Sequence, residues 1–281
     1  MCKDRPMPSW PLDQVLPLAI ALPLVGIAAG LIAGLLGVGG GIVIVPVLYH
    51  VFTVLGLDEA VRMHVAVGTS LATIIATSTS SWRSHARKGA VDRDLLRSWG
   101  PFILVGVAIG SLAAGWVKGP VLTGIFAGFA LLVSLHMAFG RPEWRLGHSL
   151  PTGAAKAGLA ALIGGCSAMM GIGGGTFAVP TLTLFGTPIH RAVGTASAIG
   201  LIIGIPGTLG FILTGWNAAQ LPPFSLGYVN LLGVAAILPT SMAAAPWGAR
   251  LAHSLDTRLL RRAFAVFLFL TSLRMAYGLL N

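Results

Sequence analysis

The sequence predicts an all-α polytopic membrane protein built from two inverted-topology repeats, each of about five hydrophobic segments and each with a helix broken at a glycine motif. Three observations carry that prediction. Of the 281 residues, 55% are hydrophobic and 9% charged, against roughly a quarter charged in soluble domains. Three blocks recur in the same order along the chain. The basic residues also divide unequally between the connections on the two sides of the expected membrane.

The recurrence sets the domain organisation. Residues 37 to 48, GVGGGIVIVPVL, match 171 to 182, GIGGGTFAVPTL, at seven of twelve positions. HVAVGTSLA at 64 to 72 matches HRAVGTASA at 190 to 198 at six of nine. SLHMAFG at 134 to 140 faces SLRMAYG at 272 to 278. The whole chain, 1 to 281, therefore reads as a single membrane domain with repeat one at 15 to 140, repeat two at 152 to 279 and a polar connector at 141 to 151.

Repeat one begins with an apolar run at 15 to 36. It follows a positively charged start, but it continues without a polar break into the recurring glycine stretch, so it reads as a first segment rather than a cleaved leader. Segments at 40 to 55, 63 to 82, 98 to 117 and 121 to 140 complete that copy. Repeat two supplies 152 to 170, 176 to 187, 192 to 214, 225 to 248 and 259 to 279. Spanning a bilayer takes about 20 residues, so 40 to 55 and 176 to 187 are too short for straight spans and read as half-helices. Five segments per copy bring the second copy in from the opposite face, as in many secondary transporters.

Charge tests the inversion independently. With residues 83 to 97 in the cytoplasm, Arg83, Arg87, Lys88, Arg93, Arg97, Arg141, Arg145, Lys156, Arg191, Arg250, Arg258, Arg261 and Arg262 lie inside, thirteen in all. Lys3, Arg5, Arg62 and Lys118 lie outside, and Arg274 falls within the last segment. The counterpart of the basic connection, TGWNAAQLPP at 214 to 223, carries no charge. The net charge of +10 is thus a matter of topology, not a patch for nucleic acid, and no nucleic-acid partner is expected. Cys2 and Cys166, the only cysteines, offer neither a disulfide framework nor a thiolate metal site.

The paired GxGGG segments, each followed by a proline, together with the paired AVGT blocks and the two-unit hydrophobic architecture, resemble the TauE/SafE sulfite exporter family, also called TSUP. The resemblance runs from about residue 20 to 279. It implies a transporter of sulfur-containing or related organic anions, such as sulfite, sulfoacetate or other sulfonates, in a bacterial inner membrane. It does not name the anion.

The residues suggest how an anion would be held. Gly37, Gly39, Gly40 and Gly41, and their matches Gly171, Gly173, Gly174 and Gly175, can unwind the backbone inside the membrane, where freed amides must face protein or a wet cavity. A helix restarting after each break directs its first N–H groups and the positive end of its dipole at the gap, an anion site without any basic side chain. Pro46 and Pro180 are expected to kink or end the restarted helices. Hydroxyls at Thr69, Ser70, Thr195 and Ser197 are candidate substrate contacts, with Thr73 and Thr77 continuing a stripe, although Ser and Thr in membrane helices commonly bond their own helix or a neighbouring one. Gating or proton coupling would fall to His64, His190, Arg191, Pro46 and Pro180, the histidines alternatively capping helix ends. Gly30/Gly34, Gly106/Gly110, Gly124/Gly128 and Gly200/Gly204 read as packing seams, and Trp82, Trp99, Trp116, Trp216 and Trp247 as interface anchors.

All eight acids, Asp4, Asp13, Asp58, Glu59, Asp92, Asp94, Glu143 and Asp256, fall in termini or connections. Intramembrane carboxylates are the usual cation ligands and proton relays, so no cation coupling, metal or cofactor is expected. The histidines likewise show no metal-ligand spacing. The alternatives are a passive anion channel or an intramembrane enzyme acting on a lipid or small metabolite. Catalysis gathers dissimilar groups, whereas the distinctive residues here are duplicated, and the chain is read as not an enzyme.

Overall fold

A computed structural model describes residues 22 to 31, 40 to 139, 147, 149 to 252 and 257 to 279. Side chains at 245, 248 to 252, 257 to 261 and 263 are outside that description. Among the described residues are ten helices: α1 (Leu22–Leu31), α2 (Gly41–Val54), α3 (Glu59–Arg87), α4 (Arg93–Trp116), α5 (Gly119–Phe139), α6 (Gly153–Met170), α7 (Gly174–Leu184), α8 (Ile189–Thr214), α9 (Leu231–Ala252) and α10 (Thr257–Gly278). A two-stranded hairpin, β1 (Ser225–Leu226) and β2 (Val229–Asn230), precedes α9. The chain is all-α and polytopic: α3, α4, α5, α6 and α8 are long and apolar enough to cross a membrane.

α3 and α8 form the centre. They run antiparallel, because Gly200 lies against Ser78 while Gly204 and Gly207 lie against Leu71. Around this pair, α2 packs on α3 and α7 on α8, α4 packs on α8 and α9 on α3, and α5 pairs with α10. The α2–α3 packing thus has a counterpart in α7–α8, and the α4–α8 packing one in α9–α3.

Small residues make the close crossings. A Cβ on Gly106, Gly110 or Gly164 would strike main-chain atoms across the α4–α6 seam. Gly30 meets the Ser241 backbone of α9 in the same way. Without a hydrophobic force between helices in lipid, such backbone proximity is what van der Waals packing can exploit. Gly124 and Gly128 do not belong to a seam. The nearest atom to a Cβ at Gly124 would be Leu279 Cδ1 at 3.6 Å, and nothing lies within 4 Å of one at Gly128. Their spacing matches a packing motif, but among the described residues no backbone presses on that face of α5. Gly34 lies outside the described residues.

The outer surface is apolar. On α4 the exposed large side chains are Phe102, Leu104, Val105, Ile109 and Leu112, and on α10 Val266, Phe269, Leu270 and Leu273. Such a surface suits lipid, with backbone groups satisfied inside each helix. Trp116, Trp216 and Trp247 are exposed near helix ends. Trp99 is instead buried against the interior, at 3% exposure, because its position in α4 faces the bundle rather than lipid.

Helix boundaries follow local chemistry. Asp58 caps α3 by accepting from the Ala60 amide at 2.8 Å. α3 extends well past the apolar run at 63 to 82, through a basic end at His85 and Arg87. Pro46 and Pro180 lie within α2 and α7, which continue to Val54 and Leu184; neither proline ends its helix.

Candidate anion site at the helix breaks

α6 ends where Gly171 adopts a left-handed conformation (φ 64°). The Ile172 amide then reaches back to the Ser167 carbonyl at 3.0 Å and the Gly171 amide to the Ala168 carbonyl at 3.3 Å, a glycine-dependent helix stop. The Ser70 hydroxyl donates to the Gly171 carbonyl at 2.7 Å. This expected substrate contact therefore anchors the break to α3. α7 restarts at Gly174 behind Gly173, which has no side chain to cap the first turn. α2 restarts in the same way at Gly41, behind Gly40 at φ 73°. Gly39 lies outside the described residues.

The start of α2 meets the α6–α7 break. A Cβ on Gly41 would fall 2.6 Å from the Gly171 carbonyl oxygen and 3.1 Å from Ile172 Cα, so the start of α2 rests on the end of α6. Gly174 is pressed against α8, within reach of the Ala196 carbonyl and the Gly200 amide. These contacts explain why Gly41 and Gly174 are glycine: at each a Cβ would meet backbone that cannot rotate away. Beside the α6–α7 break, two buried hydroxyls, Ser167 Oγ and Thr176 Oγ1, have no hydrogen-bond partner. An unpartnered buried hydroxyl costs about 1 to 3 kcal/mol, so its presence calls for an occupant such as water or a ligand.

From this point a cavity of about 1080 Å³ runs along α7 between α5 and α10. Its inner end is lined by Ile42, Gly175 and Thr176, and its other end by Gly186, Thr187, Pro188 and Ile189 at the turn into α8. Ile42 and Thr176 occupy matching positions in the two GxGGG blocks. Among the described lining residues there is no Lys, Arg, Asp or Glu. Any negative charge at the inner end would therefore meet helix N-termini and a hydroxyl, each N-terminus worth about half a positive charge.

The AVGT blocks have a different task, which sequence reasoning missed. Thr69 Oγ1 accepts the Asn230 amide at 2.9 Å, and Thr195 Oγ1 accepts the Asp92 amide at 2.9 Å. Asn230 and Asp92 in turn start α9 and α4, accepting through their side chains from the Gly233 amide at 2.8 Å and the Leu95 amide at 3.0 Å. The preceding glycines admit the incoming chain, since a Cβ at Gly68 or Gly194 would strike the Tyr228 or Ala90 carbonyl. Each block thus docks the entry of a helix from the other half. Thr69 and Thr195 are fully buried with that amide on the hydroxyl oxygen, a structural employment. A signal was present: a Gly-Thr pair matched in both halves. Its partners, 161 and 103 residues away, were not legible.

Ser197 donates to the Gly194 carbonyl at 2.6 Å. Thr73 and Thr77 likewise bond carbonyls of their own helix, so the stripe on α3 serves the helix rather than a polar path. His64 is buried and its Nε2 lies 2.9 Å from the Ala114 carbonyl and 3.0 Å from that of Val117. It closes the end of α4 and stacks on Tyr228, ring centroids 4.7 Å apart. His190 and Arg191 are exposed. Arg191 pairs with Asp92 at 3.1 Å, on the face where the cavity reaches the turn into α8.

The family model for the sulfite exporter TauE/SafE matches residues 22 to 275. The chain belongs to that family. A probable membrane transporter protein of Haemophilus influenzae is 35% identical to it over 90% of this chain and 96% of its own length. The Bacillus subtilis probable membrane transporter protein YunE is 27% identical over 92% of this chain and 97% of its own. A Xylella fastidiosa probable membrane transporter protein is 31% identical over 79% and 83%. No solved structure matches the chain significantly. Within this TauE/SafE member, the matched span includes both glycine motifs and both AVGT docks.

Proposed function

We propose that this TauE/SafE chain is a secondary transporter that exports a small anion, sulfite or an organosulfonate such as sulfoacetate, across a bacterial inner membrane. The anion binds where α2 and α7 restart, near the bilayer midplane. The observation that carries the reading is the uncapped start of α7, with the buried, unpartnered Thr176 hydroxyl beside it, at the inner end of a cavity whose described lining has no carboxylate. Donors without acceptors select negative charge, and broken helices at the interface of two repeats are how many secondary transporters build such sites. The relatives' names, probable membrane transporter proteins, support the same class.

Two inverted repeats provide the means of alternating access. The antiparallel α3–α8 pair and the reciprocal docking of α9 on Thr69 and α4 on Thr195 support that arrangement. Each half holds the other, so rocking one against the other would open the site to either side. Energy comes from the membrane potential: an anion leaving a negative interior gains about 2.3 kcal/mol per charge at 100 mV, and no coupled cation is needed. Efflux of labelled sulfite and sulfoacetate from proteoliposomes tests the proposal. Both should leave faster than a passive leak, and Gly174→Val should reduce both to the leak. Protein-independent flux of both would defeat it.

A further inference from the structure

We infer that the anion this site is built for carries one negative charge on an apolar body of several carbons, the body lying along α7 and α5. The inference rests on the anion-site reading above and names the substrate class of that site.

Size is the first argument. At about 30 Å³ per water, a cavity of about 1080 Å³ has room for a few tens of waters, whereas a bare oxyanion fills only a few of those volumes. The walls are the second. Phe129, Leu132 and Val133 of α5 and Phe177, Val179 and Leu184 of α7 line this space, and the Phe129–Phe177 stack, ring centroids 4.4 Å apart, joins the two walls. Such walls return free energy only to an apolar ligand, and ligand pockets that hold mid-sized organic molecules have this character: mostly hydrophobic lining with a few placed polar groups.

Charge is the third. Among the described lining residues there is no Lys or Arg, and the one histidine, His136, lies two turns along α5 from the Phe129–Phe177 stack. The compensation available is two helix N-termini, about half a charge each, and the Thr176 hydroxyl, 8% exposed and without a partner. That compensates one charge better than two, so among organosulfonates the site favours one with a single charge over sulfoacetate, which carries two. The matched positions divide the labour. Thr176 gives the inner end a polar side, and Ile42, its counterpart from the other repeat, gives it an apolar side. An amphiphile would set its head toward Thr176 and Gly175 and its body away from them.

The test is a chain-length series on the full-length protein in nanodiscs. Sulfite and n-alkanesulfonates from one to six carbons are titrated by calorimetry, with hexan-1-ol as the uncharged control, and each is also tested for competition with sulfite efflux from proteoliposomes. Affinity should rise about fourfold per methylene, the equivalent of ~0.8 kcal/mol for each buried CH₂, and hexanesulfonate should compete with sulfite. Thr176→Val, which removes the hydroxyl at nearly constant volume, should lower affinity about tenfold across the series and leave the slope. Val133→Asn should flatten the slope. A series flat with length, in a protein that still binds sulfite and loses it in Gly174→Val, would overturn the apolar body while the helix-break site stood. Hexan-1-ol binding as tightly as hexanesulfonate would assign the cavity to lipid tails and overturn the inference. Failure of every anion to bind would take down the anion-site reading as well.

Discussion

Replacing Gly174 by alanine adds one carbon, and the structure shows where that carbon must go. It would lie 2.7 Å from Ile199 Cγ2, 2.8 Å from the Ala196 carbonyl oxygen and 3.0 Å from the Gly200 amide nitrogen. Two of the three neighbours are backbone and cannot turn aside, so α7 must move off α8 by several tenths of an ångström. Overpacking of this kind costs about 1 to 3 kcal/mol. It exceeds the up to ~1 kcal/mol that alanine gains over glycine in a helix. Gly128→Ala is the control. Gly128 is also a helical glycine, but it has nothing within 4 Å of its would-be Cβ, so only the propensity gain of up to ~1 kcal/mol applies. The propensity gain is common to both variants, so their stabilities should differ by about 1 to 3 kcal/mol, with Gly174→Ala the less stable. Thermal unfolding in one detergent reads the sign, and proteoliposome flux reads the consequence. Gly174→Ala should lose at least tenfold in flux while Gly128→Ala keeps the rate. A Gly174→Ala protein as stable and as active as the parent would refute the tight approach of α7 to α8.

Further outcomes follow from the docks and the topology. Thr195→Val strips the acceptor from the buried Asp92 amide and should cost about 1 to 3 kcal/mol, with Thr69→Val alike through Asn230. Arg191→Gln breaks an ion pair whose arginine is exposed and whose aspartate is half-buried and should cost about 1 kcal/mol, whereas Asp92→Ala also removes the cap on α4 and should cost about 1 kcal/mol more; chemical denaturation ranks them. His64→Ala should destabilise through the lost closure of α4, yet sodium should remain unnecessary for flux, which efflux in choline buffer checks. Single cysteines at Gly89 and Ala218 should label from opposite sides of the membrane with an impermeant reagent; labelling from one side would end the inverted arrangement.

Much of this fold was legible because hydropathy and recurrence are written along the chain. The segments expected at 40 to 55, 121 to 140, 152 to 170 and 192 to 214 correspond to α2, α5, α6 and α8 within a few residues. The described part of the run at 15 to 36 is α1. Errors arose where helices outlast their apolar stretch. α3 runs on to Arg87 because a helix emerging from the membrane keeps its hydrogen bonds, and α4 begins at Arg93 because Asp92 caps it. The hairpin at Ser225 to Asn230 was read as helix because its residues are apolar enough to pass. Glycines at the break were found from their density, but only three dimensions separate Gly174, without room, from Gly128, with room. The threonines were ranked as ligands because a matched hydroxyl inside a membrane suggests function. Their partners, the amides of residues far along the chain, depend on how the halves interlock, and no local pattern reveals that.

The central claim is that an anion crosses at the helix breaks, driven by its own charge. Flux of sulfite through proteoliposomes with the potential clamped by potassium and valinomycin tests it most directly, comparing the parent with Gly174→Val. The account predicts efflux that accelerates when the interior is made negative, persists without sodium or a pH gradient, and vanishes in the variant. Flux indifferent to voltage and strictly dependent on a pH gradient, or undiminished in Gly174→Val, would contradict it.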